Sequence, residues 1–425
     1  MSASYDAVVV GGGPAGSTVS ALLARGGRRV LILEREKFPR FHVGESLLPY
    51  GLPVLERLGV MDKVRKAGFQ EKYGAYFWNE SNGSIRPVVF ADAADDRHPM
   101  AYQVKRADFD ALLLAHAREM GAEVREQTAV REVLFENGRA VGVVAATSGG
   151  APFEVRGAVV VDATGQDAFL SHRLGTRKFD KKLKRAALFA HFENVPRPEG
   201  RQAGDILLPV ENGVWYWIIP FSDGTSSVGA VFDPADARGG PEGETLEQRF
   251  ERIVLRSARM RDLLGAGRRT SPVRGISDFS ATSARFRGDG WAMVGDAAAF
   301  LDPVFSTGVF LAMATGERVA RDIERALARH GRVDASDLAS YERFARTLFR
   351  RFRRFVYAFY DPVFFEAFCS EAPFDKIRAA VTTTLAGGVE HVPFSSKMWT
   401  WFMFVGVGFD RFRRRIGLGP KPETA

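Results

Sequence analysis

Two kinds of hydrophobic pattern run along this chain. Short apolar cores within 6–10, 28–33, 158–162 and 290–298, the first three rich in β-branched residues, predict short buried strands. Helices are predicted between and after them at 17–24 and 51–58, and Arg106–Glu119 has a clear amphipathic spacing. Alternating segments at 122–126, 130–136, 140–147 and 153–155 read as a meander inserted between the parallel units. Strands are also predicted at 85–90, an edge strand because of Pro87, and at 101–104. The second kind begins near residue 176, with longer strands at 186–192, 204–209, Val214–Pro220 and Ser226–Phe232 and a helix at 245–255. These predict an antiparallel second sheet. From Val309 onward the pattern is mostly helical.

The first buried strand ends in Gly11-Gly12-Gly13-Pro14-Ala15-Gly16, a G-x-G-x-x-G opening a helix. Its glycines allow a tight turn, close backbone approach to a pyrophosphate and close helix–strand packing, while the helix N-terminus favours the phosphates. Glu34, at the end of the second strand, has the place of an acid that binds a ribose hydroxyl and disfavours a 2′-phosphate. Two more buried strands end in glycine turns, at Asp162 to Gly165 and at Gly295-Asp296. Three such ends on one parallel sheet suggest a single extended dinucleotide across its carboxyl edge. The fold class expected is α/β: a Rossmann-like parallel sheet interleaved with an antiparallel-sheet substrate domain and followed by a helical C-terminal region. The predicted division is 1–175 for the first part of the dinucleotide domain and 176–290 for the substrate domain. A return segment is predicted at 291–320, and helices at 321–425.

Composition changes this picture little. A hydrophobic share of 46% and a charged share of 26% are those of an ordinary globular protein. No apolar run is long enough for a transmembrane segment, and the N-terminus lacks the pattern of a signal peptide, so a cytoplasmic protein is expected. The one cysteine, Cys369, rules out an intrachain disulfide framework and reads as a buried small residue. A net charge of +8 suits an acidic partner without naming one. Basic and aromatic residues alternate at 349–355, and an aromatic run at 399–405 precedes arginines at 411–415. Docking of an acidic carrier protein, contact with an anionic membrane, or plain packing of aromatics with arginines in solvent would each account for that pattern. Nucleic acid is not expected as a partner, and no metal site is read.

Over residues 5 to about 320 the glycine turn, the Gly295-Asp296 strand end and Arg106 heading its helix resemble the FAD-binding superfamily of the aromatic hydroxylases. The resemblance implies FAD, contacted by Gly11, Gly13, Ala15, Gly16, Glu34, Arg106, Gly295 and Asp296. It also implies contact by the loop Gly44-Glu45-Ser46 and by Pro303. The scaffold alone does not choose a reaction.

Local motifs resemble those of the flavin-dependent halogenases. Trp215, Trp217, Ile219 and Pro220 match W-x-W-x-I-P; on a strand the first three share a face, which as a bare pattern would also suit an aromatic core stripe. In the family these side chains keep the organic substrate from the flavin. Phe300, Pro303, Ser306 and Gly308 match F-x-x-P-x-x-S-x-G. By resemblance Ser306, Thr307 and Gly308 form the halide site, although a flavin-contacting turn would also fit there. Lys72, before an aromatic run, matches the family's active lysine, whereas a lone lysine is ordinarily a solvated surface group. His42, in the same loop as Gly44, reads as a packed histidine. Halogenases of free tryptophan carry a glutamate where this chain has Phe305, so the resemblance is to the phenol and pyrrole group.

The halogenase resemblance implies halogenation of an electron-rich aromatic by chloride or bromide in secondary metabolism such as antibiotic biosynthesis. It would use O2 and FAD reduced by a separate flavin reductase. The aromatic would be a small molecule or a group on an acyl or peptidyl carrier protein. An aromatic hydroxylase and a prenyl-lipid double-bond reductase are the alternatives on this scaffold.

Overall fold

The computed structural model describes residues 4–93, 98–370 and 375–388, with 398, 404, 405 and 408 beyond them. Apart from Phe404 and Val405, the C-terminal runs at 399–405 and 411–415 lie outside the described residues. The chain forms two compact units, one of residues 1–69, 103–184 and 278–351, the other of 70–102, 185–277 and 352–425.

The first unit is built on a sheet whose strands lie in the order Arg287–Gly288, Trp291–Met293, Phe153–Asp162, Ser4–Val10, Val30–Leu33 and Glu123–Arg125. From Trp291–Met293 to Glu123–Arg125 every pairing is parallel. Val10 lies beside Asp162 and Leu33, and Asp162 beside Met293, so the three glycine-bearing strand ends are neighbours. The segments expected at 153–155 and 158–162 are one ten-residue strand, Phe153–Asp162. Gly157 does not break it; a Cβ there would lie 2.8 Å from Cγ2 of Val8, so the glycine permits close approach. The hairpin Thr128–Glu136 and Arg139–Thr147 joins this strand antiparallel at its start, as the alternating pattern implied. Helix Pro14–Arg25 begins three residues earlier than its apolar spacing suggested, with Pro14 in the first turn where a missing N–H costs nothing. It packs on helix Gly308–His330 through Gly316, where a Cβ would lie 2.9 Å from the Ala15 carbonyl oxygen.

The second unit carries a sheet in the order Arg268–Arg269, Ala186–Glu193, Ser226–Phe232, Val214–Pro220, Ile206–Glu211, Gly74–Asn79 and Ser84–Val89. Residues 70–102 thus belong here rather than with the dinucleotide turn: Gly74–Asn79 pairs in parallel with Ile206–Glu211. In the first of these two strands Ala75, Phe77 and Asn79 are buried on one face, and Tyr76 and Trp78 are half-buried on the other. Ser84–Val89 closes the sheet as an edge strand and contains Pro87. One face of the sheet, with Val214, Tyr216, Ile218 and Ala230, packs on helices Leu246–Val254 and Ala258–Leu264. The first of these helices starts in a capping box between Thr245 and Gln248.

Candidate active site

Gly11 has φ +104°, and a Cβ there would sit 2.5 Å from the Ala163 carbonyl oxygen. At Gly16 it would lie 1.9 Å from the carbonyl oxygen of Gly11, so neither position admits a side chain. Gly13 faces open space, with only an Arg40 nitrogen at 3.5 Å. Among the described residues, the N–H groups of Gly13, Ala15 and Gly16 meet no protein acceptor. Glu34 is buried and accepts from the Gly12 N–H at 2.7 Å and the Glu36 N–H at 2.9 Å. A cradle without side chains, with unmet amides at a helix N-terminus and an acid at its rim, fits the pyrophosphate and ribose of a dinucleotide.

The loop 43–46 is held from helix Arg106–Glu119. Buried Arg106 donates to both carboxylate oxygens of Asp110, at 2.7 and 2.8 Å, and to the Val43 carbonyl at 2.8 Å. Gly44, at φ +97°, leaves room for it: a Cβ there would lie 3.2 Å from an Arg106 nitrogen. Burial alone would raise the Asp110 carboxyl, but Arg106, then Arg40 at 3.0 Å, outweigh it and hold it below the usual carboxylate range. Burial, followed by the Arg106 charge, pushes His42 down to about 4, so its imidazole is neutral at pH 7. Glu45 and Ser46 are buried in the same loop, the Glu45 carbonyl accepting from Val104 N–H at 2.7 Å.

At the third strand end Gly295 has φ +56°, and its N–H donates to Oγ1 of Thr315 at 3.0 Å. Asp296 is pushed up to about 6 by burial, against the pull of Gln166, Arg106 and Arg177. Gln166 donates to its carboxylate at 3.1 Å and Arg177 to its carbonyl at 3.1 Å.

In the turn before the long helix, the Asp302 carboxylate accepts from Val304 N–H at 3.0 Å and Pro303–Phe305 form a 3-10 turn. Ser306 then adopts a left-handed conformation at φ 56° without being glycine, a strained geometry of the kind that gathers at functional sites. Helix Gly308–His330 starts with no side-chain cap; among the described residues the N–H groups of Thr307, Gly308 and Val309 meet no protein acceptor. Such an end attracts an anion. Phe305 is buried.

In the second unit, Lys72 is only 2% exposed and its ammonium lies 5.1 Å from the centre of the Phe90 ring. Burial pushes it down to about 7 against the opposing charge of Asp205, so a large share of the amine is neutral at neutral pH. The solvated-surface alternative is excluded. Trp215, Trp217 and Ile219 point away from the face packed on helices Leu246–Val254 and Ala258–Leu264. The two indoles lie 5.8 Å apart, centre to centre; Trp215 donates to the Tyr360 hydroxyl at 2.9 Å and Trp217 to Ser227 Oγ at 3.1 Å. Gly229, opposite Trp217 on the next strand, provides the room for that ring, since a Cβ there would lie 2.4 Å from it.

Sequence reasoning missed Asp110, Gln166, Arg177 and Asp205. Only Asp110 left a local trace, four residues after Arg106 on the same helix face.

Residues 4–355 match the family described as FAD binding domain. The chain is 32% identical over 409 residues to the 1H-pyrrole-2-carbonyl-(peptidyl-carrier protein) chlorinase of Pseudomonas fluorescens, a match covering 91% of this chain and 89% of that one. It is 32% identical over 366 residues to the tryptophan 2-halogenase of Chondromyces crocatus, covering 85% and 69% of the two chains. The structure of the myxobacterial chondrochloren halogenase superposes with a TM-score of 0.80 at 33% identity, covering 95% of this chain and 97% of that one. The glycine cradle and these likenesses agree: the chain is an FAD-binding flavoprotein and belongs to the flavin-dependent halogenase family.

Proposed function

We propose that this enzyme chlorinates or brominates an electron-rich phenolic or pyrrolic ring, supplied as a small molecule or on an acyl or peptidyl carrier protein. Reduced FAD, delivered by a separate flavin reductase, supplies with O2 the oxidising chemistry that converts halide to hypohalous acid. In this reading Gly11, Gly13, Ala15 and Gly16 receive the pyrophosphate and Glu34 a ribose hydroxyl. Arg106 holds the loop Gly44-Glu45-Ser46 against the cofactor, and Gly295, Asp296 and Pro303 complete its contacts. The amides of Thr307 and Gly308, beside Ser306, hold the halide. Trp215, Trp217 and Ile219 wall the organic substrate off from the flavin, so the oxidant reaches it only as hypohalous acid. Lys72 receives that acid, by hydrogen bond or as a chloramine, and directs electrophilic attack on the ring.

The observation that carries this reading is the dry, partly neutral Lys72, because a double-bond reductase or a hydroxylase has no use for it. Phe305 supports the ring class: it offers no carboxylate to take a proton from the arene, a lack that easily oxidised phenols and pyrroles tolerate. The relative from Pseudomonas fluorescens, named for a carrier-bound pyrrole, points the same way.

Product mass spectrometry tests it, with FAD, NADH, a flavin reductase, O2 and chloride or bromide in separate incubations. Phenols and pyrroles would be offered free and carrier-bound. A halogen isotope pair that vanishes in Lys72→Ala supports the proposal. Oxygen added without halogen, at the same rate in the variant, would replace it with a hydroxylase.

A further inference from the structure

We propose that Gly204 and Asp205 are a positioning pair that locks the backbone on either side of Lys72 and so fixes where its amine stands. The inference rests on the reading of Lys72 as the active lysine, but its structural basis is separate.

Lys72 ends the short strand Gln70–Lys72. Two contacts from the 3-10 turn Gly200–Gly204 and the residue after it bear on the backbone to either side of it. Before the lysine, Gly204 lies against the backbone of Glu71: a Cβ at Gly204 would sit 1.7 Å from the Glu71 carbonyl oxygen and 2.8 Å from Nε2 of Gln70. No side chain fits there, so the glycine is required by the approach itself. After the lysine, one carboxylate oxygen of Asp205 accepts from the N–H of Tyr73 at 2.7 Å and from that of Gly74 at 2.6 Å. Hydrogen bonds to a charged acceptor are the strong ones. Gly74 is in turn confined, since a Cβ on it would lie 2.7 Å from the Val88 carbonyl oxygen and 3.3 Å from the second Asp205 oxygen.

Asp205 is 3% exposed; burial raises its carboxyl, and the hydrogen bonds from Tyr73 and Gly74, then the charge of Lys72, pull it back toward the ionised form. Its oxygens have two effects. The hydrogen bonds hold the chain, and the negative charge opposes the fall in basicity that burial imposes on Lys72. Around this pair the other charged groups are Arg201, whose guanidinium stacks on Tyr73 at 4.1 Å, and Glu71, bound to the Tyr73 hydroxyl at 2.6 Å. Asp205 therefore tunes the lysine as well as placing it, although it need not touch substrate or cofactor.

Two variants separate these effects. Asp205→Asn keeps an oxygen for both N–H groups and removes only the charge. Gly204→Ala keeps the charge and pushes the turn off Glu71. The full chain, labelled with 13Cε-lysine, is titrated by NMR, the Lys72 resonance being assigned by its loss in Lys72→Arg. In Asp205→Asn the Lys72 midpoint moves to lower pH, and at pH 6 its neutral fraction rises roughly two- to threefold over the parent. In Gly204→Ala the resonance shifts or splits while the midpoint follows the altered burial. An unmoved Lys72 titration in Asp205→Asn together with an unchanged resonance in Gly204→Ala overturns the pair. The halogenation pH profile is recorded on the same proteins. If its acidic limb follows the NMR midpoint, both the pair and the active lysine stand. If the NMR midpoint moves and the profile does not, the pair stands and the role given to Lys72 falls.

Discussion

Replacing Lys72 by methionine should make the protein more stable and inactive at once, with a gain that depends on pH in a defined way. The side chain is 2% exposed, and its amine falls from the ordinary 10.5 to about 7. That difference corresponds to about 5 kcal/mol of unfavourable burial, taking about 1.4 kcal/mol per tenfold change in proton affinity. The sign follows from the protons bound. Below pH 7 the amine is charged in both the folded and the unfolded chain, and the whole cost is present. Between about 7 and 10.5 the unfolded chain holds a proton that the folded one does not, so stability rises with pH. Above 10.5 neither holds it and the cost is gone. Methionine fills nearly the same volume and carries no charge, so Lys72→Met removes the cost; repacking and lost polar contacts reduce the net gain to about 2–4 kcal/mol. Urea midpoints of parent and variant, measured from pH 6 to 10, give the difference directly. It should be greatest at pH 6–7 and shrink steadily toward pH 10. A difference that is constant across that range, or a variant less stable at pH 6, refutes the account of Lys72 as a destabilised, partly neutral amine. Loss of halogenated product with a gain in stability is the trade expected of a residue kept for chemistry.

Three further substitutions probe the rest of the site. Gly229→Ala drives a methyl group to within 2.4 Å of the Trp217 ring, so it should cost about 1–3 kcal/mol and alter tryptophan fluorescence; an unshifted melting temperature would mean the ring has room to move. Arg106→Lys loses the two-pronged bond to Asp110 and leaves that carboxylate buried and underpaired, which should cost about 3 kcal/mol and weaken FAD binding, read by flavin fluorescence. Gly11→Ala combines φ +104° with a Cβ 2.5 Å from a carbonyl oxygen; protein purified without bound flavin is the expected result, and a normal flavin content would contradict the cradle.

Where the sequence could be read, the determinant was local. The glycine spacing and the helix at Arg106–Glu119 depend on neighbours within a turn or two; the second formed where its spacing predicted, and the first opened its helix three residues early, at Pro14. Where it could not, the determinant was register or distance. Gly74–Asn79 hides its strand in the sequence because bulky apolar residues stand on both faces, Ala75 and Phe77 buried on one and Tyr76 and Trp78 half-buried on the other, beside a parallel partner more than a hundred residues away. The same holds for the surroundings of Lys72. An aspartate 132 positions from Tyr73 cannot be assigned to it by spacing, and an isolated Gly204-Asp205 reads as any turn. The W-x-W motif shows both limits in one place. Alternation assigns Trp215 and Trp217 to a shared face, but the sequence does not say why so large a ring fits at 217. The answer is Gly229 on the adjacent strand, visible only once Trp217 is known to lie opposite it. A motif thus names candidate residues, and the fold supplies the small residues that let them fit: Gly229 makes room for the Trp217 ring, and Gly204 lets its turn lie against the backbone of Glu71, next to Lys72.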